Sequence, residues 1–286
     1  MALIAASTQG VLVRIALLRG NDLAEFYVWN RAAPDGVGDL YTGRVEAVEK
    51  ALAGCFLELG TDRSGFLPDS AGGKGLTIGQ YVSVRVTRAA QNGKGLRLKL
   101  DSNPPGDSPG LVACGPGPLL ELTERFRGHE LVLDDYALMA ELRPSLEGRM
   151  RYDARAFDAV LEDEIAALAE PTAALPHGAR LHITAAPAAT LLDVDTAAAS
   201  HISPVVLNQA VIPEICRQVV LRNLSGGILI DFAGLKAAQR QKLLPGLRKT
   251  LQHDPLTPTL LGLSHLGFAE INRRRIRPPL HEILNG

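Results

Sequence analysis

Two short stretches, Leu191-Leu-Asp-Val-Asp195 and Ile228-Leu-Ile-Asp231-Phe232, decide the fold of the second half of this chain. Each is an apolar run that reaches a carboxylate, a pattern typical of a buried β-strand whose last side chain emerges at the edge of a sheet. The segment between them, residues 208 to 223, has apolar residues near helical spacing and is followed by the breaker Ser225-Gly226-Gly227. The pattern therefore predicts a strand, helix, strand crossover with two parallel strands.

The two acids at the ends of these strands are candidate metal ligands. A crossover brings the carboxyl ends of both strands to one sheet edge, so Asp193 and Asp231 are expected to lie together. Carboxylates held close repel unless one is protonated or a cation bridges them, and Mg²⁺ prefers one or two carboxylates plus water and phosphate oxygens. The alternative is that each Asp is only a helix cap or a turn former. The repetition of the pattern across a crossover favours a cation site.

The charge of the chain is balanced overall but unevenly distributed. The 286 residues are enough for two domains or subdomains. They carry 30 basic and 31 acidic side chains, a balance that does not by itself indicate a nucleic-acid-binding protein. Residues 74–99 contain six basic residues and no acid, and residues 217–286 contain eleven basic and four acidic residues. Such zones are commonly solvated faces, but two of them flanking an acid pair would suit a polyanion.

The cysteines and the apolar runs indicate a protein of the cytoplasm. Cys55, Cys114 and Cys216 are far apart, without a Cys-x-x-Cys pair, which argues against a zinc site or a disulfide framework and fits a reducing compartment. The first residues lack the basic region of a signal peptide. No apolar run is long enough to span a bilayer, so we expect no membrane association.

The first hundred residues have the pattern of β-structure. Three strands are predicted within residues 2–30, followed by a linker at 32–38. Five short strands separated by Gly and Asp turns then predict a small OB-type barrel, a fold that commonly binds single-stranded nucleic acid. These five strands are Leu40 to Glu46, Ala53 to Leu59, Ser64 to Leu67, Tyr81 to Thr87 and Gly95 to Leu100.

Two aromatic residues and one lysine of the barrel suit that use. Phe56 and Phe66 lie in strands expected to be neighbours, and Lys94 lies in the Gly-rich turn Asn92-Gly-Lys-Gly95. A base stacked on an aromatic ring contributes about 1–3 kcal/mol and tolerates sequence variation. The alternative is that both Phe side chains belong to the core of the barrel.

Several stretches of the chain resemble the ribonuclease E/G family, in the right order and over nearly the whole length. In the first half, the resemblance to the S-one-type RNA-binding domain of that family rests on Tyr41-Thr-Gly-Arg-Val45, Cys55-Phe-Leu-Glu-Leu-Gly60, Arg63-Ser-Gly-Phe-Leu-Pro68 and Gly93-Lys-Gly95. In the second half it rests on Leu192-Asp-Val-Asp-Thr196, Asn208, Glu214-Ile-Cys-Arg-Gln218, Leu221 through Phe232 and Leu263-Ser-His-Leu-Gly-Phe-Ala-Glu270.

The resemblance implies a mixed α+β and α/β fold with an inserted barrel. Residues 1–37 and 118–170 would form a discontinuous RNase H-like subdomain, and residues 38–101 an OB-fold RNA-binding domain. Residues 171–286 would form a DNase I-like catalytic subdomain. In residues 155–169, where acids accompany apolar residues at helical spacing, we expect an amphipathic helix with Phe157, Val160, Leu161, Ile165 and Leu168 inward and no catalysis.

The resemblance also implies an activity and a set of site residues. Family members are endoribonucleases that use Mg²⁺ to cut single-stranded RNA, leaving a 5′-phosphate and a 3′-hydroxyl. Asp193 and Asp231 match the magnesium-binding aspartates of the family, and we allow Mn²⁺ as a substitute ion. The RNA-anchoring residues of the family correspond to Phe56, Phe66 and Lys94, with Arg63 beside them.

The chain departs from the family pattern in four places. Asp195 stands where the family usually has Asn, so it is a further candidate for catalysis, as a ligand or by orienting a water. His265 replaces an Arg. The Pro- and Gly-rich segment 102–117 stands where the family has a sensor of the RNA 5′ end, and we expect it to be a linker without a packed sensor. The sequence ends soon after Arg277-Pro-Pro279, before a zinc link, so we expect a monomer or dimer rather than a zinc-linked tetramer.

Three functions remain open from the sequence alone. The first is a truncated endoribonuclease of this type, active in RNA processing or decay. The second is a catalytically inactive RNA-binding protein on the same scaffold. The third is a different phosphodiesterase that uses the DNase I-like half. Both aspartates are present, which favours the first.

Overall fold

The chain begins with a three-stranded antiparallel meander. The structure is a computed structural model that describes residues 2–60, 64–91, 93–146 and 148–284. The meander consists of β1 (Ala2–Gln9), β2 (Leu12–Arg19) and β3 (Asp22–Asn30). Gly10 and Gly20 make the two turns with positive φ angles of 61° and 66°, a conformation that glycine adopts without steric cost. The three strands expected from the alternating pattern are therefore present.

A closed five-stranded barrel follows the meander. Its strands are β4 (Leu40–Glu49), β5 (Gly54–Glu58), β6 (Ser64–Pro68), β7 (Tyr81–Arg88) and β8 (Leu96–Leu100). The barrel closes because β4 pairs with both β5 and β7. Alternate residues such as Leu57, Leu67 and Leu98 fill the interior. The predicted OB-like barrel is confirmed, and all five expected strands lie within a few residues of their expected limits.

The Pro- and Gly-rich segment after the barrel includes one further strand. This strand, β9 (Gly110–Ala113), pairs antiparallel with the first residues of β4, and β5 pairs with the residues of β4 that follow. Within the same segment, the amide of Gly106 donates to the hydroxyl of Thr42 at 2.9 Å. Residues 102–117 are therefore attached to the barrel along part of their length.

The chain then returns to the first sheet. The elements are α1 (Gly117–Arg125), β10 (Leu131–Leu133), α2 (Tyr136–Leu146), β11 (Met150–Tyr152) and α3 (Ala159–Ala167). β10 pairs parallel with β1, and the sheet order is β11-β10-β1-β2-β3. Leu119 and Leu122 of α1 and Leu138 of α2 pack on one face of this sheet. Phe157, Leu161 and Leu168, in and beside α3, pack on the other face.

The helix α3 is shorter than the expected amphipathic helix and differs from it at one residue. Asp158 caps its first turn by accepting a hydrogen bond from the amide of Leu161 at 2.9 Å. Because the helix begins only after this cap, Val160 lies in its first turn and is 75% exposed, so its predicted inward position is wrong. Glu162 forms an ion pair with Arg14 at 2.6 Å, which satisfies one acid of the acidic face.

A second mixed sheet is formed by the last third of the chain. Its strands are β12 (Thr172–Ala174), β13 (Arg180–Ala185), β14 (Ala189–Asp195), β15 (Gly226–Asp231), β16 (Thr259–Leu263) and β17 (Ala269–Arg273). The order is β12-β13-β14-β15-β17-β16. β14 and β15 pair in parallel, as the crossover pattern predicted.

Four further helices follow in the described part of the chain; the first three lie with the second sheet, and the last packs on β3 of the first sheet. They are α4 (Pro204–Leu221), α5 (Ala237–Gln241), α6 (Leu244–Leu251) and α7 (Leu280–Leu284). α4 is the crossover helix; Ser203 caps its first turn, and Pro204 occupies a position where no amide hydrogen is needed. α4 and α6 cover one face of the sheet, where Val211, Ile215 and Leu247 are fully buried against Ile228 and Ile230.

Two partly buried arginines join the parts of the chain. Arg217 of α4 donates to the carbonyl of Leu23 at 2.9 Å and to Glu164 at 2.6 Å. Arg277 donates to Asp35 at 2.7 Å and bidentately to Glu121 at 2.8 and 2.9 Å. These charge-assisted contacts attach the second sheet to the first sheet and to the segment that precedes the barrel.

Candidate functional site

The two predicted acids are direct neighbours on the second sheet. Asp193 of β14 and Asp231 of β15 are partners in the parallel register. Neighbouring strands lie about 4.8 Å apart, and directly paired residues project from the same face. Leu192, Val194 and Ile230, which alternate with the acids, are buried against α4 and α6. Both carboxylates therefore lie on the sheet face opposite those helices.

Asp231 is oriented by a side chain that the sequence did not indicate. Arg240 of α5 donates an Nη1 hydrogen bond to Asp231 Oδ1 at 2.6 Å. The same guanidinium donates to the carbonyls of Gly267 at 2.9 Å and Leu235 at 3.0 Å, and only 15% of the side chain is exposed. Arg240 thus fixes one oxygen of Asp231 and leaves the other available to a ligand. The sequence around Arg240 contains no pattern that predicts its contact with Asp231. The two side chains meet because the chain turns after β15 and places α5 beside the end of that strand.

The turn after β15 is itself held by a buried amide. Asn208 of α4 is fully buried and donates to the carbonyls of Pro204 at 2.6 Å and Ala233 at 2.9 Å. Its Oδ1 accepts from the amide of Ala233 at 3.1 Å. These bonds connect the crossover helix to the residues that follow Asp231, so Asn208 positions the end of the strand and has no direct access to a substrate.

Asp195 lies two residues after Asp193 on the same face. Its Oδ1 accepts a hydrogen bond from the amide of Ala197 at 3.0 Å, which is the turn-forming role that Asp often has after a strand. Its Oδ2 is 3.9 Å from His182 Nε2, a contact that becomes an ion pair when the imidazole is protonated. His182 is also the register partner of Asp193 on β13. The structure therefore brings an imidazole beside the acids that the sequence did not assign to the site.

The acid pair has the donor chemistry that a hard cation requires. In the part of the chain that the structure describes, the carboxylate of Asp193 has no hydrogen-bond or ion-pair partner. Two adjacent carboxylates, one of them unpartnered, fit Mg²⁺, which commonly takes one or two carboxylates and completes its shell with water and phosphate. Among the described residues, no group of three or more His, Cys, Asp or Glu has metal-binding geometry.

Two of the three cysteines are buried thiols with raised pKa values. Cys55, Cys114 and Cys216 are free. Burial raises the pKa of the Cys55 thiol, and burial together with the nearby Asp254 raises that of Cys216 to about 12. Both buried thiols are therefore protonated at neutral pH.

The aromatic pair lies on the outside of the barrel. Phe56 of β5 and Phe66 of β6 are register partners, with ring centroids 5.1 Å apart and planes tilted by 57°. Both are half-buried, while their neighbours Cys55, Leu57 and Leu67 form the core. The alternative that both rings are core residues is therefore not what the structure shows. The ring of Phe66 covers Gly54, where a Cβ atom would come within 2.5 Å of it.

Of the two predicted basic residues of the barrel, the structure describes only Lys94. Lys94 is exposed and pairs with Gln91 through two backbone hydrogen bonds of 3.0 Å across a tight turn. Gly93 in this turn has a positive φ of 69°. Arg63 lies outside the described residues, and His265 is exposed in the turn between β16 and β17.

The acid pair is not enclosed. Cavities of about 360 and 370 Å³ lie where the first sheet, the barrel and the C-terminal segment meet, and both are lined by Tyr27, Asn223 and Arg277. Asp193 and Asp231 project instead from an uncovered sheet face. A site of this shape suits an extended polymer better than a small molecule. In the described part of the chain, no helix is both long enough and apolar enough to cross a bilayer.

The fold and the site together indicate a broad class of protein. An OB-like barrel with outward aromatic rings, attached to a mixed sheet that carries paired acids, is typical of proteins that bind extended polymers such as single-stranded nucleic acid. The model of the ribonuclease E/G family matches residues 132–276, just over half of the chain. The chain belongs to the ribonuclease E/G family.

Individual relatives are similar over part of the chain. Ribonuclease E of Synechocystis sp. is 32% identical over 120 residues, which cover 40% of this chain and 18% of that protein. Ribonuclease G of Salmonella typhimurium is 26% identical over 167 residues, covering 56% of this chain and 29% of the relative. Ribonuclease G of Escherichia coli K12 is 31% identical over 130 residues, covering 43% and 27%. The matched part of the chain thus spans less than a third of each of these relatives.

Proposed function

We propose that this chain is a Mg²⁺-dependent endoribonuclease that cuts single-stranded RNA and leaves a 5′-phosphate and a 3′-hydroxyl. The observation that carries the proposal is the side-by-side placement of Asp193 and Asp231 on adjacent parallel strands. Family membership supports RNA as the substrate. We further propose that the first sheet is RNase H-like, the second sheet DNase I-like, and the protein a cytoplasmic monomer or dimer.

The proposed roles follow from the chemistry of each side chain. Asp193 and Asp231 would hold the cation, and Arg240 keeps Asp231 in one orientation by its hydrogen bond to Oδ1. The chemistry that a bound Mg²⁺ would supply to these residues is that of a Lewis acid acting on the scissile phosphate and on the attacking water. Asp195 and His182 are close enough to hold a water at the edge of the site. Mn²⁺ is the proposed substitute ion.

The barrel supplies position rather than chemistry. Phe56 and Phe66 stack on bases, and Lys94 contributes a positive charge to the backbone nearby. Binding energy from this remote surface holds the RNA so that one phosphodiester reaches the acid pair, which replaces a bimolecular encounter by an intramolecular one. Arg63 is proposed as a further contact on the basis of the resemblance alone.

The test is cleavage of an end-labelled, unstructured RNA with Mg²⁺ or Mn²⁺, beside an Asp231→Ala control. Internal cuts that require the ion and disappear in the variant are the expected result. Ligation of the products to an adaptor that needs a 5′-phosphate checks the end chemistry. RNA that is bound but never cut, over a range of both ions, would establish the inactive RNA-binding protein instead. Cleavage of a small phosphodiester but not of RNA would establish the third alternative.

A further inference from the structure

A row of side chains continues from the aromatic pair across the barrel surface. Phe66 of β6 is the register partner of Arg97 on β8, and Arg97 is the partner of Arg88 on β7. Phe56, Phe66, Arg97 and Arg88 therefore stand side by side on four neighbouring strands. Leu96 and Leu98, which alternate with Arg97, are buried in the core, so Arg97 lies on the outer face. A β-bulge between the core residue Val86 and Arg88 brings Arg88 opposite Arg97. Two rings are followed directly by two guanidinium groups.

A third arginine reaches this row from the C-terminal segment. The amide of Ala89, next to Arg88, donates to the carbonyl of Ile276 at 2.8 Å. This bond brings Arg275 to the barrel. Burial lowers the pKa of Arg88, and the positive charges of Arg97 and Arg275 lower it further, as expected when like charges are close. We call Arg88, Arg97 and Arg275 the arginine cluster.

The position of Arg275 is fixed by the second sheet. Its guanidinium lies against Gly226, where an added Cβ atom would be 2.2 Å from Nη2 and 2.6 Å from Cζ. Gly226 begins β15, and Asp231 ends it. Five residue steps of about 3.3 Å place the arginine cluster about 17 Å from the acid pair along this strand. The cluster thus lies between the aromatic rings and the strand that carries Asp231.

The charges of the arginine cluster are not compensated by protein acids. Over the described residues, none of the three guanidiniums has an ion pair with a carboxylate, in contrast to Arg217 and Arg277. Among the described residues, the buried Nε of Arg88 has no hydrogen-bond partner. Gln91, three residues further on, is only 7% exposed, and neither its side-chain nitrogen nor its side-chain oxygen has a partner within residues 2–60, 64–91, 93–146 and 148–284. Buried polar atoms are rarely left unpaired in proteins, so these atoms mark a site whose hydrogen bonds are incomplete beside the arginine cluster.

We propose that the arginine cluster binds consecutive phosphates of single-stranded RNA and directs the strand from Phe56 and Phe66 towards β15. The proposal rests on the proposed function for the identity of the polyanion. RNA is favoured over an acidic protein because the guanidiniums continue a row of two rings, and RNA offers both bases that stack on the rings and phosphates for the guanidiniums, whereas an acidic protein offers only carboxylates. The planar forks of arginine also match phosphate oxygens.

The test compares RNA affinities at several salt concentrations, without divalent ions so that no cleavage occurs. Arg97→Gln, Arg275→Gln and the double variant are measured beside Arg127→Gln, which removes the same charge from an exposed position outside the barrel. Each lost phosphate contact should make the plot of log K against log salt concentration less steep by about 0.7. At 0.1 M salt, this change corresponds to about fivefold weaker binding. Arg275→Lys should retain most of the slope, and Arg127→Gln should retain all of it.

RNA length separates this site from the aromatic pair. An oligonucleotide of about four residues suffices to cover the rings, so its affinity should depend on Phe66 and not on the arginine cluster. An oligonucleotide of about twelve residues should depend on both. Thermal unfolding midpoints like that of the unmodified protein show that the variants are folded, and Arg88 is left unchanged because it is partly buried.

Four results would overturn the proposal. If the salt slope of the double variant were unchanged while Phe66→Ala weakened RNA binding, the arginine cluster would be excluded as an RNA-binding site. RNA binding by the aromatic pair would still stand. If the double variant weakened the binding of a short RNA with a 5′-monophosphate as much as that of the long RNA, the cluster would be a pocket for the terminal phosphate. A polyglutamate peptide bound as tightly as RNA would point to an acidic protein partner. An unmodified protein that binds no RNA would remove both this proposal and the proposed function.

Discussion

The barrel surface and the acidic sheet face are assembled in different ways. On the barrel, strand pairing alone places Phe56 beside Phe66. On the second sheet, strand pairing places Asp193 beside Asp231, but the orientation of Asp231 also depends on Arg240 from a separate helix. The first surface is thus a local product of the barrel, whereas the second needs a tertiary contact. We expect changes on the barrel to affect binding and changes on the sheet to affect the chemical step.

The largest effect is expected at the acid pair. Asp193→Asn and Asp231→Asn should each reduce cleavage by at least about 1,000-fold, or about 4 kcal/mol of transition-state stabilisation, because the neutral amide is a poor cation ligand. RNA affinity should remain within about twofold, since basic residues dominate ground-state binding. Single-turnover cleavage and equilibrium binding measure the two quantities. Asp163→Asn, an exposed acid on α3, is the matched control. A near-normal rate in either site variant would exclude this active site.

A smaller loss is expected when the acid pair is kept but its support is removed. Arg240→Met should reduce cleavage by about 10–100-fold at low Mg²⁺, the usual cost of losing a residue that orients a metal ligand. Excess Mg²⁺ should restore much of the rate, because Asp231 itself remains. The measurement is the Mg²⁺ concentration that gives half the maximal rate. If that concentration is unchanged while the maximal rate falls, Arg240 contacts the substrate and is not a positioning residue.

On the barrel, the effect should appear in affinity alone. Phe66→Ala should weaken RNA binding by about 1–3 kcal/mol, the contribution of one base stacked on an aromatic ring. Cleavage at saturating RNA should be nearly unchanged. Tyr136→Ala removes a ring that is stacked on Tyr152 outside the barrel, and it should leave affinity unchanged. A variant with normal affinity and a lower unfolding temperature would show that Phe66 serves only the stability of the barrel.

The same distinction explains what the sequence could and could not predict. The period-two pattern and the turn residues predicted the barrel, and the crossover pattern predicted parallel pairing of β14 with β15. Arg240 and His182 were missed because their proximity to the acids arises from chain segments that no spacing rule connects. Val160 was misplaced because the cap at Asp158 shifts the start of α3. Patterns within a single helix or strand could be predicted from the sequence, whereas contacts between separate elements could be found only from the three-dimensional structure.

The smallest effect is expected at the 5′ end of the RNA, where the resemblance to the family would suggest a larger one. A sensor of the family type favours a 5′-monophosphate by giving that end its own donors. In this chain, the corresponding segment 102–117 contributes the strand β9, and that strand is occupied by pairing with β4. Nonspecific attraction of a terminal phosphate is screened within about 10 Å at 0.1 M salt. RNAs that differ only in a 5′-monophosphate, 5′-triphosphate or 5′-hydroxyl should therefore be cut at similar rates in parallel time courses.

A tenfold preference for the monophosphate, about 1.4 kcal/mol, would require a dedicated pocket for that end. If that preference disappeared in Arg97→Gln, the pocket would be the arginine cluster, and the difference between the two surfaces would lie in which part of the RNA each one binds.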